Sequence, residues 1–442
     1  MRSAPNQPGT AGRERPVRRG VATTVAAVGV LSLLATACSS GGSSPTSGGS
    51  ADAGAAPVTM SLWARDSEKG FIGTLATAFN KTHKDQVKVT IIPAANYVQK
   101  FGTAAAGGQA PDIASIDLVY APYFASVGAL ADITDKTKAL SYYNDLSPAH
   151  RRLATYQDKV YAMPFTAEAS VLYYNTTLFT KAGIKTPPTN YAEIIADAAK
   201  VHALGAGYYG YIFSGACAGC NNFEFSPHVW ASGGDILNAD GTKAQFDSSQ
   251  VTDALTMYQT MWAAGDMPNL AKTDDGSGAL TAFEGGKIGM IPLGAFAVAS
   301  LKAAKVDFGL TPLPGKTGGS SAFAGGDEIA IPSGSKHPEQ AWEFLKWATD
   351  KQAQTVLAQQ SIVPVRTDLL KTIYYPLDPR NKILGAAMST GHTPYSVVEN
   401  ALLNDNNGPY IKMISQAVFT GDVPGAQEAG QKAAASIISA GP

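Results

Sequence analysis

The sequence predicts an α/β fold whose sheet is mostly parallel, and three observations lead to this prediction. Apolar and polar residues alternate over 58–63 and 87–92, which is the spacing of half-buried strands. Between those strands, apolar residues recur at helical spacing over 71–79. A further helix over 97–106 and a short strand over 113–116 complete a β-α-β-α-β order. Because such crossovers place helices on the faces of a parallel sheet, this order favours the α/β class.

Later segments continue the alternation of strands and helices. Predicted strands cover 171–174, 208–213, 288–291, 306–310 and 328–331, and predicted helices cover 191–204, 251–262 and most of the chain after residue 338. Ligand crevices in open α/β sheets form beyond the carboxyl ends of the strands. Asp66 and Asp117 follow two early strands, so both are candidate ligand contacts. Either carboxylate is equally suited to capping the next helix.

Length, composition and charge narrow the class of protein. A chain of 442 residues is long enough for about two to three domains, each with its own core. Its 34 basic and 35 acidic side chains are balanced, which does not favour a nucleic-acid binder. A hydrophobic fraction of 45% is too high for a disordered chain. We therefore expect a folded protein of several domains that binds no nucleic acid.

The first 37 residues have the features of an export signal. Arginines precede an apolar stretch over 21–34, and Ala35-Thr36-Ala37 supplies small residues for cleavage. A helix over 21–34 spans about 21 Å, less than the roughly 30 Å of a bilayer core, so a membrane-spanning helix is not favoured. Residues 34–38 resemble a bacterial lipobox, with the leucine one position from its usual place. This resemblance implies cleavage before Cys38 and lipidation of that cysteine, with the export route left open.

A segment rich in Ser, Gly, Ala, Thr and Pro follows, over 38–57. Such a composition buries little apolar surface and predicts a flexible tether. We therefore expect the folded body to lie outside the cytoplasm, anchored to the outer face of the cell membrane as a lipoprotein.

Two further cysteines, Cys217 and Cys220, form a Cys-Ala-Gly-Cys sequence. Outside the cytoplasm a local disulfide is favoured over free thiols. A zinc site would need more ligands at metal spacing, and His228 is the one candidate nearby in the sequence. We predict a disulfide here, with no metal and no cofactor.

Short motifs follow one another in a fixed order along nearly the whole mature chain. They are Leu62-Trp63, Ala105-Ala-Gly-Gly-Gln-Ala-Pro-Asp-Ile113, Gly128-Ala-Leu-Ala-Asp132, Tyr161-Ala-Met-Pro-Phe165, Leu172-Tyr-Tyr-Asn175, Phe179-Thr-Lys-Ala-Gly183, Ala282-Phe-Glu-Gly-Gly-Lys-Ile-Gly-Met290, Pro312-Leu-Pro-Gly315, Phe323-Ala-Gly-Gly326 and Pro364-Val-Arg366. In order and spacing, the chain resembles the extracellular solute-binding proteins of bacterial ABC importers. The resemblance is to the carbohydrate-binding branch, which includes maltose- and trehalose-binding proteins.

This resemblance implies a periplasmic-binding-protein-like fold of two α/β lobes, joined by a hinge, with the ligand cleft between them. We place lobe 1 at 58–164 and 295–329, and lobe 2 at 165–294 and 330–442. The implied function is not enzymatic: a monomer captures a mono- or oligosaccharide and delivers it to the permease subunits in the membrane.

The resemblance also implies ligand-binding residues. They are Glu168, Phe296, Gly325, Gly326, Asp327 and Arg366. A sugar offers its hydroxyls to carboxylates, backbone N–H groups and a forked guanidinium, and its C–H faces to aromatic rings. Glu168 precedes Asn175 by seven residues, as a sugar-binding glutamate does in maltose-binding relatives. Phe296 stands where relatives carry a stacking tryptophan. An exposed loop acid, a tight glycine turn and a surface ion pair are the ordinary alternatives.

Five aromatic residues near predicted crevice segments complete the set of candidates. They are Tyr120, Phe165, Phe223, Trp230 and Tyr410. Each is a candidate stacking surface for a sugar ring. For Trp230, simple burial in the core is an equally good interpretation.

Three other functions remain open. The first is the same fold with a non-sugar solute, such as a polyamine or a polyol; a polyamine site would need several carboxylates facing aromatic rings, without Arg366 in the cleft. A glycoside hydrolase would need two carboxylates about 5–10 Å apart on either side of a glycosidic bond. A surface adhesin or sensor would bind its ligand without handing it on.

Overall fold

The computed structural model describes residues 56–442. The predicted export signal, Cys38 and nearly all of the predicted tether therefore lie outside the described residues. Within 56–442, no helix is both long and apolar enough to cross a membrane.

The strands of the described chain are numbered in chain order. They are β1 (Thr59–Arg65), β2 (Gln86–Ile92), β3 (Ile113–Asp117), β4 (Thr155–Tyr156), β5 (Lys159–Val160), β6 (Ala162–Ala169), β7 (Val171–Asn175), β8 (Tyr209–Tyr211), β9 (Ile288–Leu293), β10 (Phe308–Thr311), β11 (Leu313–Pro314), β12 (Ser320–Ser321), β13 (Ala324–Ala330) and β14 (Val363–Pro364).

The α-helices are numbered in the same way. They are α1 (Ile72–Thr82), α2 (Ala94–Ala106), α3 (Ala121–Ser126), α4 (Thr134–Lys138), α5 (Pro148–Leu153), α6 (Thr176–Lys181), α7 (Tyr191–His202), α8 (Cys220–Glu224), α9 (Ser226–Ala231), α10 (Ser249–Ala263), α11 (Leu270–Thr273), α12 (Ala279–Glu284), α13 (Ala297–Ala303), α14 (Pro338–Ala348), α15 (Lys351–Gln359), α16 (Asn381–Thr390), α17 (Pro409–Thr420) and α18 (Val423–Ala440).

Hydrophobic periodicity explains where these elements form. In β1, Met60, Leu62 and Ala64 are buried and alternate with more exposed neighbours, as the spacing of two predicts. In α10, Val251 and Leu255 are buried on one face at helical spacing. Such faces pack against the sheets and form the core.

The first sheet has six strands in the order β14-β6-β13-β3-β1-β2. Strand β1 pairs in parallel with β2 and β3. Strand β13 is antiparallel to both β3 and β6, and β14 is antiparallel to β6. The sheet is therefore mixed rather than mostly parallel, because β13 enters it from the opposite end.

The second sheet has four strands in the order β10-β7-β9-β8. Strand β7 is antiparallel to β9 and β10, whereas β8 is parallel to β9. Helices α7, α10 and α17 belong to this half of the molecule, where α7 contacts β8 and α10 contacts both other helices. Each sheet with its helices is called a lobe below, with β1 in lobe 1 and β7 in lobe 2.

The chain passes between the lobes at three neighbouring points of the described residues. The backbone N–H of Ser170 donates to the carbonyl of Phe323 over 3.1 Å. The N–H of Ala324 donates to the carbonyl of His392 over 3.0 Å, and His392 donates in turn to Ala322 over 2.8 Å. The crossing segments therefore form one hydrogen-bonded band, which is the natural position of a hinge.

Sheet membership differs from the lobe boundaries predicted above. Strand β10, placed in lobe 1, pairs with β7 in lobe 2. Strand β14, placed in lobe 2, pairs with β6 in lobe 1, and helices α14 and α15 contact α1 there. The crossings therefore lie near residues 170, 323 and 392, because partners distant in sequence determine which sheet a strand joins.

Candidate functional site

An arginine and two aspartates lie together at the edge of the first sheet. Arg65 ends β1, Asp117 ends β3, and Asp327 of β13 is directly opposite Asp117 in the ladder. The Nη1 of Arg65 donates to Oδ2 of Asp117 over 2.8 Å, and its Nε donates to Oδ1 of Asp327 over 3.1 Å. Thr166 donates its hydroxyl to the other oxygen of Asp327 over 2.9 Å. Burial raises the pKa of Asp117, and Arg65 offsets part of that rise.

A buried glutamate, Glu68, lies next to this cluster. Glu68 is 1% exposed and accepts hydrogen bonds from the Ser115 hydroxyl (2.6 Å) and the backbone N–H of Arg65 (2.7 Å). Burial and the nearby charge of Asp327 raise the pKa of Glu68 to about 8. Glu68 therefore fixes the backbone of Arg65 and is a positioning group.

Glu168 forms a contact between the lobes. It lies near the end of β6, and its Oε2 accepts the backbone N–H of Phe296 in lobe 2 over 3.2 Å. Burial raises the pKa of Glu168 to about 8. The ring of Phe296 is 52% exposed, which makes it the most solvent-accessible of the predicted aromatic residues.

Aromatic rings line the lobe 2 side of the cleft. Phe223 lies between Phe296, at 6.4 Å between ring centroids, and Phe323, at 4.6 Å. Trp230 stacks on Phe323 at 6.5 Å and donates its Nε1–H to Asp235 over 2.9 Å. A pocket of about 290 Å³ opens beside this row and is lined by Phe223, Phe296 and the disulfide cysteine Cys220, among other residues.

Two predicted glycines allow the aromatic rings of the cleft to pack closely against β13. A Cβ on Gly325 would lie 2.5 Å from the ring of Phe323. Gly326 has a φ of 130°, and a Cβ there would lie 2.0 Å from the carbonyl oxygen of Thr166. Both positions therefore require glycine for close packing, within a strand rather than in a tight turn.

Tyr120 connects the cleft to lobe 2, and a buried carboxylate lies beside this connection. The Tyr120 hydroxyl donates to Oδ1 of Asn400 over 3.0 Å. The preceding residue, Glu399, is 1% exposed and accepts a hydrogen bond from the Asn404 amide over 2.6 Å. Burial and the charge of Asp117 raise the pKa of Glu399 well above its ordinary value.

Two predicted aromatic contacts are wrong, because the structure buries both rings. Phe165 is completely buried and packs against Phe71, with the ring centroids 6.4 Å apart. Tyr410 is also completely buried, and its hydroxyl is 2.6 Å from the Ser226 hydroxyl while donating to the Asn221 carbonyl. Both side chains belong to the cores of their lobes.

The predicted role of Arg366 is wrong as well. Its guanidinium forks onto Asp368 over 2.8 and 2.7 Å and lies over the ring of Tyr142. The ordinary alternative, an ion pair, is the one that the structure shows. Asp66 is exposed and accepts the backbone N–H of Ala94 over 3.0 Å, so its carboxylate caps the start of α2.

Other residues of the site were not predicted. Arg65, Glu68 and Glu399 have no conspicuous motif around them, although Arg65 stands at the end of a predicted strand, which is a signal for a crevice position. Cys217 and Cys220, by contrast, are joined by the disulfide that the sequence predicts. Among the described residues, no three His, Cys, Asp or Glu side chains form a group suited to hold a metal ion.

Comparison with known proteins identifies the family. The sequence profile described as "Bacterial extracellular solute-binding protein" matches residues 74–382, well over half of the chain. The chain belongs to this family. The diacetylchitobiose binding protein DasA of Streptomyces coelicolor is 28% identical over 411 residues, covering 90% of this chain and 94% of the relative. The maltodextrin-binding protein MdxE of Bacillus subtilis is 26% identical over 327 residues, covering 70% and 73%.

Solved structures have the same architecture. The GacH receptor of Streptomyces glaucescens is 25% identical with a TM-score of 0.75, covering 87% of this chain and all of that protein. The sugar-binding protein MalE of Xanthomonas citri is 21% identical with a TM-score of 0.76, covering 87% and 98%. These likenesses confirm the predicted two-lobe α/β fold.

Proposed function

We propose that this extracellular solute-binding protein is the sugar-binding component of an ABC importer, and that its solute binds in the cleft between Asp117 and Phe296. The single observation that carries the proposal is the placement of polar and aromatic groups on opposite walls. Arg65, Asp117 and Asp327 lie at the edge of the first sheet, whereas Phe223 and Phe296 line the second lobe.

The two walls match the two kinds of surface on a sugar. Carboxylates and a guanidinium bind vicinal hydroxyls in pairs, and flat rings cover the C–H faces. Because a buried polar group left without a partner costs about 1–3 kcal/mol, a cleft of this kind rejects sugars whose hydroxyls point elsewhere. The names of two relatives, a diacetylchitobiose binding protein and a maltodextrin-binding protein, support this class of solute.

In this proposal, the permease recognises the arrangement in which the two lobes are closed. Several contacts already bridge the lobes, among them the Phe296 N–H to Glu168, near the hinge, and the Tyr120 hydroxyl to Asn400. A solute that contacts both walls favours the closed arrangement by the difference between its affinities for the closed and open forms. Catalysis is not part of this proposal.

Membrane attachment remains a proposal that rests on the sequence. Lipidation of Cys38 and a tether up to residue 57 would keep a monomeric receptor close to the permease. Labelling of the cells with a fatty-acid analogue, compared between the natural chain and Cys38→Ala, tests it. Loss of the label and release of the variant into the medium are the expected results, and equal labelling would contradict the proposal.

A thermal-shift screen against mono- and oligosaccharides, with polyamines and amino acids as controls, tests the function. A ligand at about 100 times its dissociation constant adds roughly 2.7 kcal/mol to the stability of the protein, which gives a clear rise in Tm. Rises with one group of sugars are expected. A response to polyamines or amino acids alone would contradict sugar binding, and cleavage products would indicate a hydrolase.

Calorimetric titration of two matched variants then tests the site. Asp117→Asn removes a carboxylate at the cleft and should weaken sugar binding by about 10- to 100-fold, because hydrogen bonds to charged groups contribute about 1.5–3 kcal/mol. Asp135→Asn makes the same change at a side chain that is 97% exposed and should leave affinity unchanged. Equal affinities for both variants would place the sugar elsewhere.

A further inference from the structure

The cleft has more negative than positive groups. Arg65 is shared between Asp117 and Asp327, so one guanidinium faces two carboxylates. Glu168 approaches the same space from β6, where its bond to Phe296 is with a neutral N–H. A solute entering this site meets hydrogen-bond acceptors in excess of donors.

The facing wall of lobe 2 has buried acceptors whose hydrogen bonds are incomplete. Within residues 56–442, Oε1 of Glu399 has no hydrogen-bond partner, while its Oε2 accepts from Asn404. Asn404 in turn accepts the Asn222 amide over 3.2 Å, and Oδ1 of Asn222 also lacks a partner in the described chain. Glu399 and Asn222 are each only 1% exposed. Such atoms are costly to bury, so they point to a donor that a ligand supplies.

These acceptors lie where the two lobes meet. Asn400, next to Glu399, binds the Tyr120 hydroxyl of lobe 1 over 3.0 Å, and the charge of Asp117 reaches the Glu399 carboxylate. Asp117, three residues before Tyr120, and Glu399, next to Asn400, therefore lie on segments of opposite lobes that this hydrogen bond joins. Like charges in that arrangement oppose closure unless a proton or a cation lies between them.

We infer that the solute is an amino sugar whose protonated amine binds between Asp117 of lobe 1 and Glu399 of lobe 2. This inference rests on the proposed function and names its substrate class. An ammonium group has three donors and a positive charge, which meets both the unpartnered oxygen and the excess of carboxylates. Binding to both carboxylates draws the lobes together, so the same group that is recognised also favours closure.

A saccharide that places one amine between Asp117 and Glu399 fits better than a polyamine. The condition for a polyamine site is met in part, because Arg366 lies outside the cleft and carboxylates face aromatic rings. Arg65, however, occupies the polar wall itself, and its charge repels a second ammonium group placed there. The exposed ring of Phe296 offers a surface for the C–H face of a sugar.

Titration calorimetry of the natural chain with a matched series of ligands tests the inference. The series is glucose, glucosamine and N-acetylglucosamine, together with their β1,4-linked disaccharides, and spermidine. Its members differ at C2, which carries a hydroxyl, an amine or an acetamide. We expect the amine to bind about tenfold more tightly than its hydroxyl counterpart, because a charge-assisted hydrogen bond replaces a neutral one. Equal or weaker binding of the amine, preference for the acetamide, or no binding in the series would overturn the inference.

The wider sugar panel keeps the two proposals distinguishable. If a neutral sugar binds and the amines do not, the amino-sugar inference fails while sugar capture stands. If spermidine alone binds, both fail. Glu399→Gln should remove the amine preference about tenfold, whereas Glu343→Gln, on an exposed face of α14, should retain it. The Tm of Glu399→Gln shows whether this variant folds. If it does not fold, the ligand series on the natural chain alone tests the amino-sugar inference.

Discussion

Replacement of Arg65 by methionine is the sharpest test of the polar wall. The side chain is 16% exposed and binds Asp117, which is 29% exposed, and Asp327, which is 8% exposed. Methionine keeps much of the length of the arginine stem but leaves both carboxylates without their cation. We expect the variant to unfold at lower denaturant concentration.

The distances set the magnitude. At the 2.8 Å between Nη1 of Arg65 and Oδ2 of Asp117, two unit charges attract by about 6 kcal/mol at an effective dielectric constant of about 20. Much of this attraction offsets the cost of burying the charges. Removing one partner of such a pair nevertheless costs about 3–5 kcal/mol, because the other charge stays buried without compensation. Partial exposure of Asp117 favours the lower end of that range.

A double-mutant cycle separates the ion pair from simple loss of packing. Urea unfolding is measured for Arg65→Met, for Asp327→Asn and for the two changes combined. Because asparagine is neutral, it removes one of the two charges that Arg65→Met leaves uncompensated, while the charge of Asp117 remains. The combined loss should fall short of the sum by about 1–3 kcal/mol. A sum that is additive within about 0.5 kcal/mol would refute the electrostatic reasoning.

Three further changes test other parts of the cleft. Burial raises the pKa of Glu168 to about 8 in the folded protein. Its contribution to stability is therefore full below about pH 4.5 and is lost as the pH rises towards 8. Glu168→Gln should flatten this pH dependence when the free energy of unfolding is measured from pH 5 to 8. Gly326→Ala should lower Tm clearly, since its Cβ would meet the carbonyl of Thr166, whereas Gly334→Ala meets nothing within 4 Å and should leave Tm nearly unchanged. Tyr120→Phe removes one bond between the lobes and should raise the radius of gyration in X-ray scattering without ligand; an unchanged value would assign closure to other contacts.

Local patterns explain how much of the fold was predictable from the sequence. The predicted strand over 87–92 is observed as β2 (Gln86–Ile92), and the predicted helix over 251–262 as α10 (Ser249–Ala263). Alternation and helical spacing are properties of neighbouring residues, so they survive folding. The assignment of β10 and β14 to lobes failed because it depends on partners more than 100 residues away along the chain.

The residues of the candidate site were likewise predictable only in part. Asp117 follows a strand, and the crevice rule placed it correctly at the edge of the sheet. Arg366 has an equally suggestive context, yet a carboxylate two residues away holds its guanidinium. Glu399 lies in a segment without a motif, and its importance depends on what the other lobe brings near it. Charge, aromatic character and position along a strand predict candidates, whereas the partner that each side chain finds is determined by tertiary structure.

The arrangement of contacts connects recognition to movement. The bond from Phe296 to Glu168 lies close to the crossing at Ser170, so a small rotation there lengthens it little. The bond from Tyr120 to Asn400 joins segments farther along the chain from that crossing, so we expect the same rotation to lengthen it more. A solute held only by Asp117 would bind the open and closed forms equally and would shift nothing. If the amino-sugar inference holds, contact with Glu399 as well would create the difference in affinity that closure requires, and the carboxyl groups of opposite lobes would then act together in recognition and closure.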